Sequence, residues 1–205
     1  MILAAAAAAL LEGCGSDKPA EKAAVPKHAP EVFRAAFDTT KGVFVVEVTR
    51  AWAPRGADRF YELLTKNFYD GARFYRVVPR FVVQFGLKGD PAADRYWSTM
   101  YIPDDPVTQN NARGTLSFAM AGPATRTTQV FINLQDNFRL DTMGFAPFGK
   151  VVSGMDVVDS LYKGYGDAPP AGQGPEQGRI KDEGNAYLDR FFPRLDYIKT
   201  ARILP

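Results

Sequence analysis

Arg76 and Gln84 stand in a stretch, Phe74 to Gly86, that is otherwise built largely of Phe, Tyr and Val. Those neighbours are β-formers suited to a half-buried strand. Read singly, an arginine in a strand is explained by solvent, since Arg is almost never fully buried without a partner. Read as chemistry, it is an always-charged planar fork of donors set beside a carboxamide. The remaining composition narrows the options. The chain has 205 residues but one cysteine, Cys14, and one histidine, His28, which lies in a polar N-terminal stretch. An internal disulfide and a Cys-cluster metal site are therefore excluded. Most hydrolase and zinc-enzyme mechanisms go with them. Whatever chemistry the chain performs does not rest on His or Cys, and no metal is expected.

The elements that must position Arg76 and Gln84 follow from periodicity. Residues 31–50 read as a β-hairpin, two β-rich runs around Asp38–Gly42 with Gly42 supplying the turn. Residues 53–71 read as a helix, with Phe60, Leu63, Leu64 and Phe68 at helical spacing and Gly71 as a stop. Strands are expected at 73–78 and 81–86, with Pro79 between them. Residues 87–113 read as a long irregular loop, of the kind that tends to be functional. Further strands fall at 114–120, 129–134 and 148–154, a short helix at 155–164, a loose Gly/Pro-rich segment at 165–178, a helix at 179–190 and a last strand at 194–204. Many short strands with turn signals and no βαβ alternation define an all-β, β-dominant domain. A closed barrel with helices over its open ends accommodates both element types. Strict alternation puts Arg76 and Gln84 on consistent faces but Phe81 opposite Gln84, so one shared site requires a bulge or twist near Pro79 and Arg80. Hydrophobic content of 46% fits a well-formed core. A net charge of +2, from 25 basic and 23 acidic residues, gives no case for nucleic acid. The Gly172-Gln173-Gly174 motif follows no strand and is no dinucleotide loop. Asp104 and Asp105 read as solvated loop residues.

The N-terminus reads separately. Ile2–Leu11 is an apolar run the length of a secretory h-region and too short to span a bilayer. It leads into Leu11-Glu12-Gly13-Cys14, which resembles the bacterial lipoprotein cleavage box. That resemblance implies that residues 1–14 are a signal segment and lipobox, cleaved before Cys14 so that the lipidated Cys14 becomes the new N-terminus, followed by a flexible linker over 15–30, with His28 solvated in it. Residues 31–205 form the domain, including an extension over 165–205. The expected location is the bacterial cell envelope, with the membrane as a partner through the Cys14 anchor; a cytoplasmic chain is the alternative.

Three segments, Phe74–Gly86, Gly114–Leu134 and Phe145–Asp159, match in order and spacing the cyclophilin peptidyl-prolyl isomerases, and the chain resembles that family over roughly residues 31–165. The C-terminal tail resembles the extension of a bacterial subgroup. The resemblance implies a closed eight-stranded antiparallel β-barrel capped by two α-helices, followed by the helix–strand extension. It implies rotation of X-Pro bonds in folding proteins, with no cofactor and no covalent intermediate. Its partners would be proline-containing polypeptides, met by a monomer.

The implied roles are physically apt. X-Pro rotation is slow because amide resonance imposes a barrier of roughly 18–20 kcal/mol. A catalyst must hold the proline and favour the twisted amide. Arg76 matches the family's catalytic arginine, and Gln84 its backbone-binding glutamine. Phe81, Val82, Phe131 and Leu140 match the proline pocket. Ala119, Met120, Ala121 and Gln129 match the groove before the proline. Three positions depart: Met120 replaces an Asn, Arg139 stands about where many members have a Trp, and Phe145 stands near a pocket His. A non-catalytic proline-peptide binding module or holdase is the alternative function, disfavoured by Arg76. A purely structural envelope protein fits less well.

Overall fold

The computed structural model describes residues 28–205. The 1–14 segment with Cys14, and nearly all of the 15–30 linker, lie outside the described residues. In chain order the elements are β1 (Val32–Thr39), β2 (Gly42–Thr49), α1 (Pro54–Thr65), β3 (Arg76–Val77), β4 (Val82–Phe85), α2 (Pro91–Trp97), β5 (Thr115–Phe118), β6 (Val130–Asn133), β7 (Pro147–Ser153), α3 (Met155–Asp159), α4 (Gln177–Glu183), α5 (Asn185–Phe191) and β8 (Ile198–Ile203).

The eight strands form one antiparallel sheet in the order β3-β4-β6-β5-β7-β2-β1-β8. The β1–β2 hairpin forms as its pattern requires. Phe33, Ala35 and Phe37 alternate inward on β1 and meet Phe44, Val46 and Val48 of β2. Phe37 and Phe44 stack with ring centroids 4.9 Å apart. The sheet is curled rather than a closed barrel. β3 and β8 are its two ends and share no ladder. β3 has two residues, because a turn at Val78–Phe81 ends it, and that leaves no length for a second ladder. An isolated bridge between Arg73 and Tyr197, with the Phe74 N–H donating to Asp196 O at 2.9 Å, brings the ends together.

The concave side is filled by Phe37, Phe44, Phe74, Phe85, Phe118 and Phe148, all buried, and α1 adds Phe60, Leu63 and Leu64 to the same cluster. α1 is shorter than 53–71. Asn67 adopts a left-handed φ of 52°, and the Phe68 N–H returns to Leu63 O at 2.9 Å, closing the last turn. Its N-terminus has no side-chain cap of its own. Asp105 supplies one, accepting from the Arg55 and Gly56 N–H groups at 3.0 and 2.9 Å.

Several expectations are corrected here. Asp105 is not solvated: it is buried and also paired with buried Arg126 at 3.1 Å, while Asp104 lies 3.2 Å from Arg126 Nε. The 87–113 loop contains α2, started by Asp90, whose carboxylate accepts from Ala92 and Ala93 N–H, and by Pro91 at the first helical position. The 179–190 helix is two helices, α4 and α5. Gly184 breaks it at φ 66° and ψ −155°, where a Cβ would meet Gly89 O at 2.5 Å. His28 is exposed, yet its Nδ1 lies 3.0 Å from Asp58 Oδ2, and the Ala29 N–H donates to Asp58 Oδ1 at 2.8 Å. The end of the linker is thus fastened to α1.

Candidate active site

Register builds the site. Arg76 on β3 faces Gln84 on β4, Gln84 faces Phe131 on β6, and Phe131 faces Ser117 on β5. The alternate row, Val77, Val83, Ile132 and Leu116, is buried on the core side. With a side-chain period of two, the first row must lie on the convex face. Val82, two residues before Gln84, joins it. Phe81 escapes the alternation because it is no longer in a strand. Arg80 takes φ 56°, the Val78 N–H donates to Val82 O at 2.9 Å, and the Phe81 N–H donates to Val78 O at 3.0 Å. The required irregularity at Pro79 and Arg80 is therefore a tight turn, and it swings Phe81 against Val82, Phe131 and Leu140.

One cavity of about 660 Å³ is lined by every predicted site residue of the domain: Arg76, Phe81, Val82, Gln84, Ala119, Met120, Ala121, Gln129, Phe131, Leu140 and Phe145. Its floor is aromatic, with Phe131 edge-on to Phe145 at 5.6 Å. Two guanidiniums flank Phe81, Arg76 at 5.5 Å and Arg139 at 5.1 Å from the ring centroid. A polar chain runs along one wall. Arg76 Nη1 donates to Gln84 Oε1 at 3.1 Å, Gln84 Nε2 donates to Gln129 Oε1 at 3.1 Å, and the Tyr75 hydroxyl donates to the same oxygen at 2.5 Å. Burial pushes the Tyr75 hydroxyl far above its ordinary range, so it stays a donor. Gln129 is brought to Gln84 by a close approach at Gly86 (φ 106°), where a Cβ would lie 2.4 Å from Thr128 O.

Sequence reasoning missed two groups. The first is a buried amide network beneath the cavity. Asn111 Oδ1 accepts from Ser117 Oγ at 2.9 Å and from Asn133 Nδ2 at 3.2 Å, and its Nδ2 donates to Phe145 O at 2.8 Å. Asn137 Nδ2 donates to Asn133 Oδ1 at 2.8 Å and to Phe81 O at 2.9 Å. The backbones of Phe81 and Phe145 are thereby fixed from below. The second group comes from the extension and from the loop expected to be irregular: Asp167, Gln177, Lys181, Ser98 and Tyr101 all line the cavity. Asp167 takes Arg76 in a bidentate pair, Nε to Oδ1 and Nη2 to Oδ2, both 2.7 Å. The guanidinium hydrogen bond holds the Asp167 carboxyl below the ordinary carboxylate range, outweighing burial.

A charged fork thus lies on the convex face of a curled antiparallel sheet, beside an aromatic floor, in a cavity whose lining holds no histidine and no cysteine. Residues 34–182 match the model of the family described as cyclophilin type peptidyl-prolyl cis-trans isomerase/CLD. The chain belongs to that family and is a peptidyl-prolyl cis-trans isomerase. It is 35% identical over 128 residues to the peptidyl-prolyl cis-trans isomerase of Acinetobacter baylyi, covering 60% of this chain and 68% of that one. The fold is that of a Cryptosporidium parvum cyclophilin-type peptidyl-prolyl cis-trans isomerase, at 21% identity and a TM-score of 0.63 over 85% of this chain and 98% of that one. A second structure of that protein, obtained in the presence of the dipeptide Ala-Pro, matches with a TM-score of 0.61 at 21% identity over 84% and 99%.

Proposed function

We propose that Arg76 is the catalytic group of this isomerase. A proline enters the floor made by Phe81, Val82, Phe131, Leu140 and Phe145, and Gln84 holds the substrate backbone. Ala119, Met120, Ala121 and Gln129 form the groove for the residues before the proline. As the amide twists, its nitrogen lone pair localises. A guanidinium donor beside that nitrogen then gains strength in the transition state that it lacks against either planar form. The observation that carries this reading is the convergence of those residues on one cavity. The backbone N–H and C=O of Met120, which have no hydrogen bond among the described residues, support strand-like pairing with an extended peptide. The Cryptosporidium parvum structure obtained with Ala-Pro supports a proline-containing ligand.

The test is the catalysed cis–trans rate of a short X-Pro peptide. Arg76→Ala should lower it by on the order of a hundredfold, about 2.7 kcal/mol. Arg76→Lys should not restore it, because a point charge lacks the planar fork. Near-normal turnover of Arg76→Ala would remove the residue from this role.

The finer reading is that of a member of a bacterial subgroup of the family, a monomer tethered in the cell envelope through acylated Cys14. It rests on the Leu11–Cys14 box and on the polar 15–30 segment that would serve as tether. Intact mass of the native protein tests it: a chain starting at an acylated Cys14 is expected, and an unprocessed Met1 would overturn the anchor.

A further inference from the structure

Resting on the reading of Arg76 above, we infer that Asp167 is a positioning residue for the reaction, a built-in clamp from the 165–178 loop that sets the plane of the Arg76 guanidinium against the nitrogen of the twisting amide. Three bonds fix that guanidinium: two to Asp167 at 2.7 Å and one to Gln84 at 3.1 Å. The Nε/Nη2 edge is fully used by the carboxylate. Further N–H groups on Nη1 and Nη2 stay uncommitted, and these are the donors left for a substrate. A long arginine side chain loses much rotamer freedom when it must find one geometry. Asp167 removes that freedom before substrate arrives.

The loop is built to hold the carboxylate still. The Ala168 N–H donates to Asp167 Oδ1 at 2.8 Å, and the Gly174 N–H donates to Asp167 O at 2.7 Å. A Cβ on Gly172 would lie 2.2 Å from Asp167 O and 2.6 Å from Asp167 N, and one on Gly174 would lie 2.9 Å from Asp167 O. The Gly-Gln-Gly motif therefore has a role that its neighbours in sequence do not disclose. Its glycines let residues 172–174 press against the Asp167 backbone and present the side chain to Arg76.

The experiment measures turnover of an X-Pro peptide and, separately, affinity for it in five forms: unmodified protein, Asp167→Ala, Gly172→Ala, Arg76→Ala and the Arg76→Ala/Asp167→Ala double variant. Asp167→Ala should lower turnover ten- to a hundredfold while affinity changes less than about threefold, since the floor and groove are untouched. Gly172→Ala should move turnover in the same direction with the charge intact. The double variant should match Arg76→Ala, because a clamp has nothing to act on once the guanidinium is gone. Turnover of Asp167→Ala that is unchanged or raised, while Arg76→Ala is impaired, overturns the clamp alone. Near-normal turnover of Arg76→Ala overturns both readings.

Discussion

Arg76 is held by its neighbours before any substrate is present, and its whole surroundings are fixed-charge or neutral groups. The cavity lining contains no histidine and no cysteine, and the Asp167 carboxyl is held below the ordinary carboxylate range by the guanidinium it binds. Turnover should therefore be nearly flat from about pH 6 to 8. A rate profile at fixed temperature checks this, and a steep step inside that window would reveal a titrating group in the reaction. Arg76 and Gln84 were legible because each breaks a run of β-formers. Phe131 and Leu140 were not legible from their own type, since such residues are mostly core; the joint resemblance selected them. Asp167 was hidden. Its partner lies 91 positions away, and nothing in a Gly/Pro-rich loop marks one aspartate above another.

Elements carry the site by register and by the loops between strands. The β3–β4 pairing aligns Arg76 with Gln84, and the Arg80 turn delivers Phe81. Pro79 signalled a break, but the sequence alone left a bulge and a twist both open. α2 was announced by Asp90-Pro91, an N-cap followed by proline, yet the polar composition around it suggested an irregular loop. The split of α4 from α5 turns on Gly184 pressing against Gly89, a contact between segments far apart in sequence. The network under the cavity was equally invisible, since an asparagine becomes structural only when its partners are in place. Asn111 joins the loop before β5 to β5, β6 and the Phe145 loop, and it is fully buried. Asn111→Ala strands Ser117 Oγ and removes an acceptor from Asn133. A loss of about 2–4 kcal/mol is expected, the sum of more than one unsatisfied buried group. Urea unfolding with an unchanged m-value measures it. A loss under about 0.5 kcal/mol would mean that the cavity floor is not supported from this network.

At the scale of the molecule, the sheet curls until its ends meet through flanking residues, and the tail packs back beside the site it helps to line. Fold class and the succession of strands along the chain were accessible to pattern reasoning; the outward-facing row of the site follows only from the ladder register. Closure was not, because it depends on how many residues β3 has left after its turns. Several tertiary ties are ion pairs of depressed carboxyls. Asp58 pairs with Arg50, and Asp70 pairs with Arg202 of β8. For both, burial raises the carboxyl, but the arginine and backbone hydrogen bonds win and leave it lowered. Asp167 is lowered too. A carboxyl depressed on folding adds stability above its unfolded value, about 3.9, and loses that contribution as pH falls through the folded value. Asp94 acts oppositely: burial raises it, so it favours the native state more as pH falls. With Glu183 also lowered by its hydrogen bond to Arg179, depressed carboxyls outnumber the raised one, and the melting temperature should hold level down to about pH 5 and fall below about pH 4. A melting temperature constant to about pH 3 would show that these pairs contribute little.

The central claim is that this cavity turns proline bonds over and does not merely grip them. Exchange NMR on an X-Pro peptide with substoichiometric protein tests it most directly, because one sample reports both binding and cis–trans interconversion. The unmodified protein should show exchange cross-peaks between the cis and trans resonances. Arg76→Ala should still broaden the peptide lines through binding, with affinity within about tenfold, while the exchange rate falls by on the order of a hundredfold. Exchange that persists undiminished in Arg76→Ala, or binding without exchange in the unmodified protein, would contradict it.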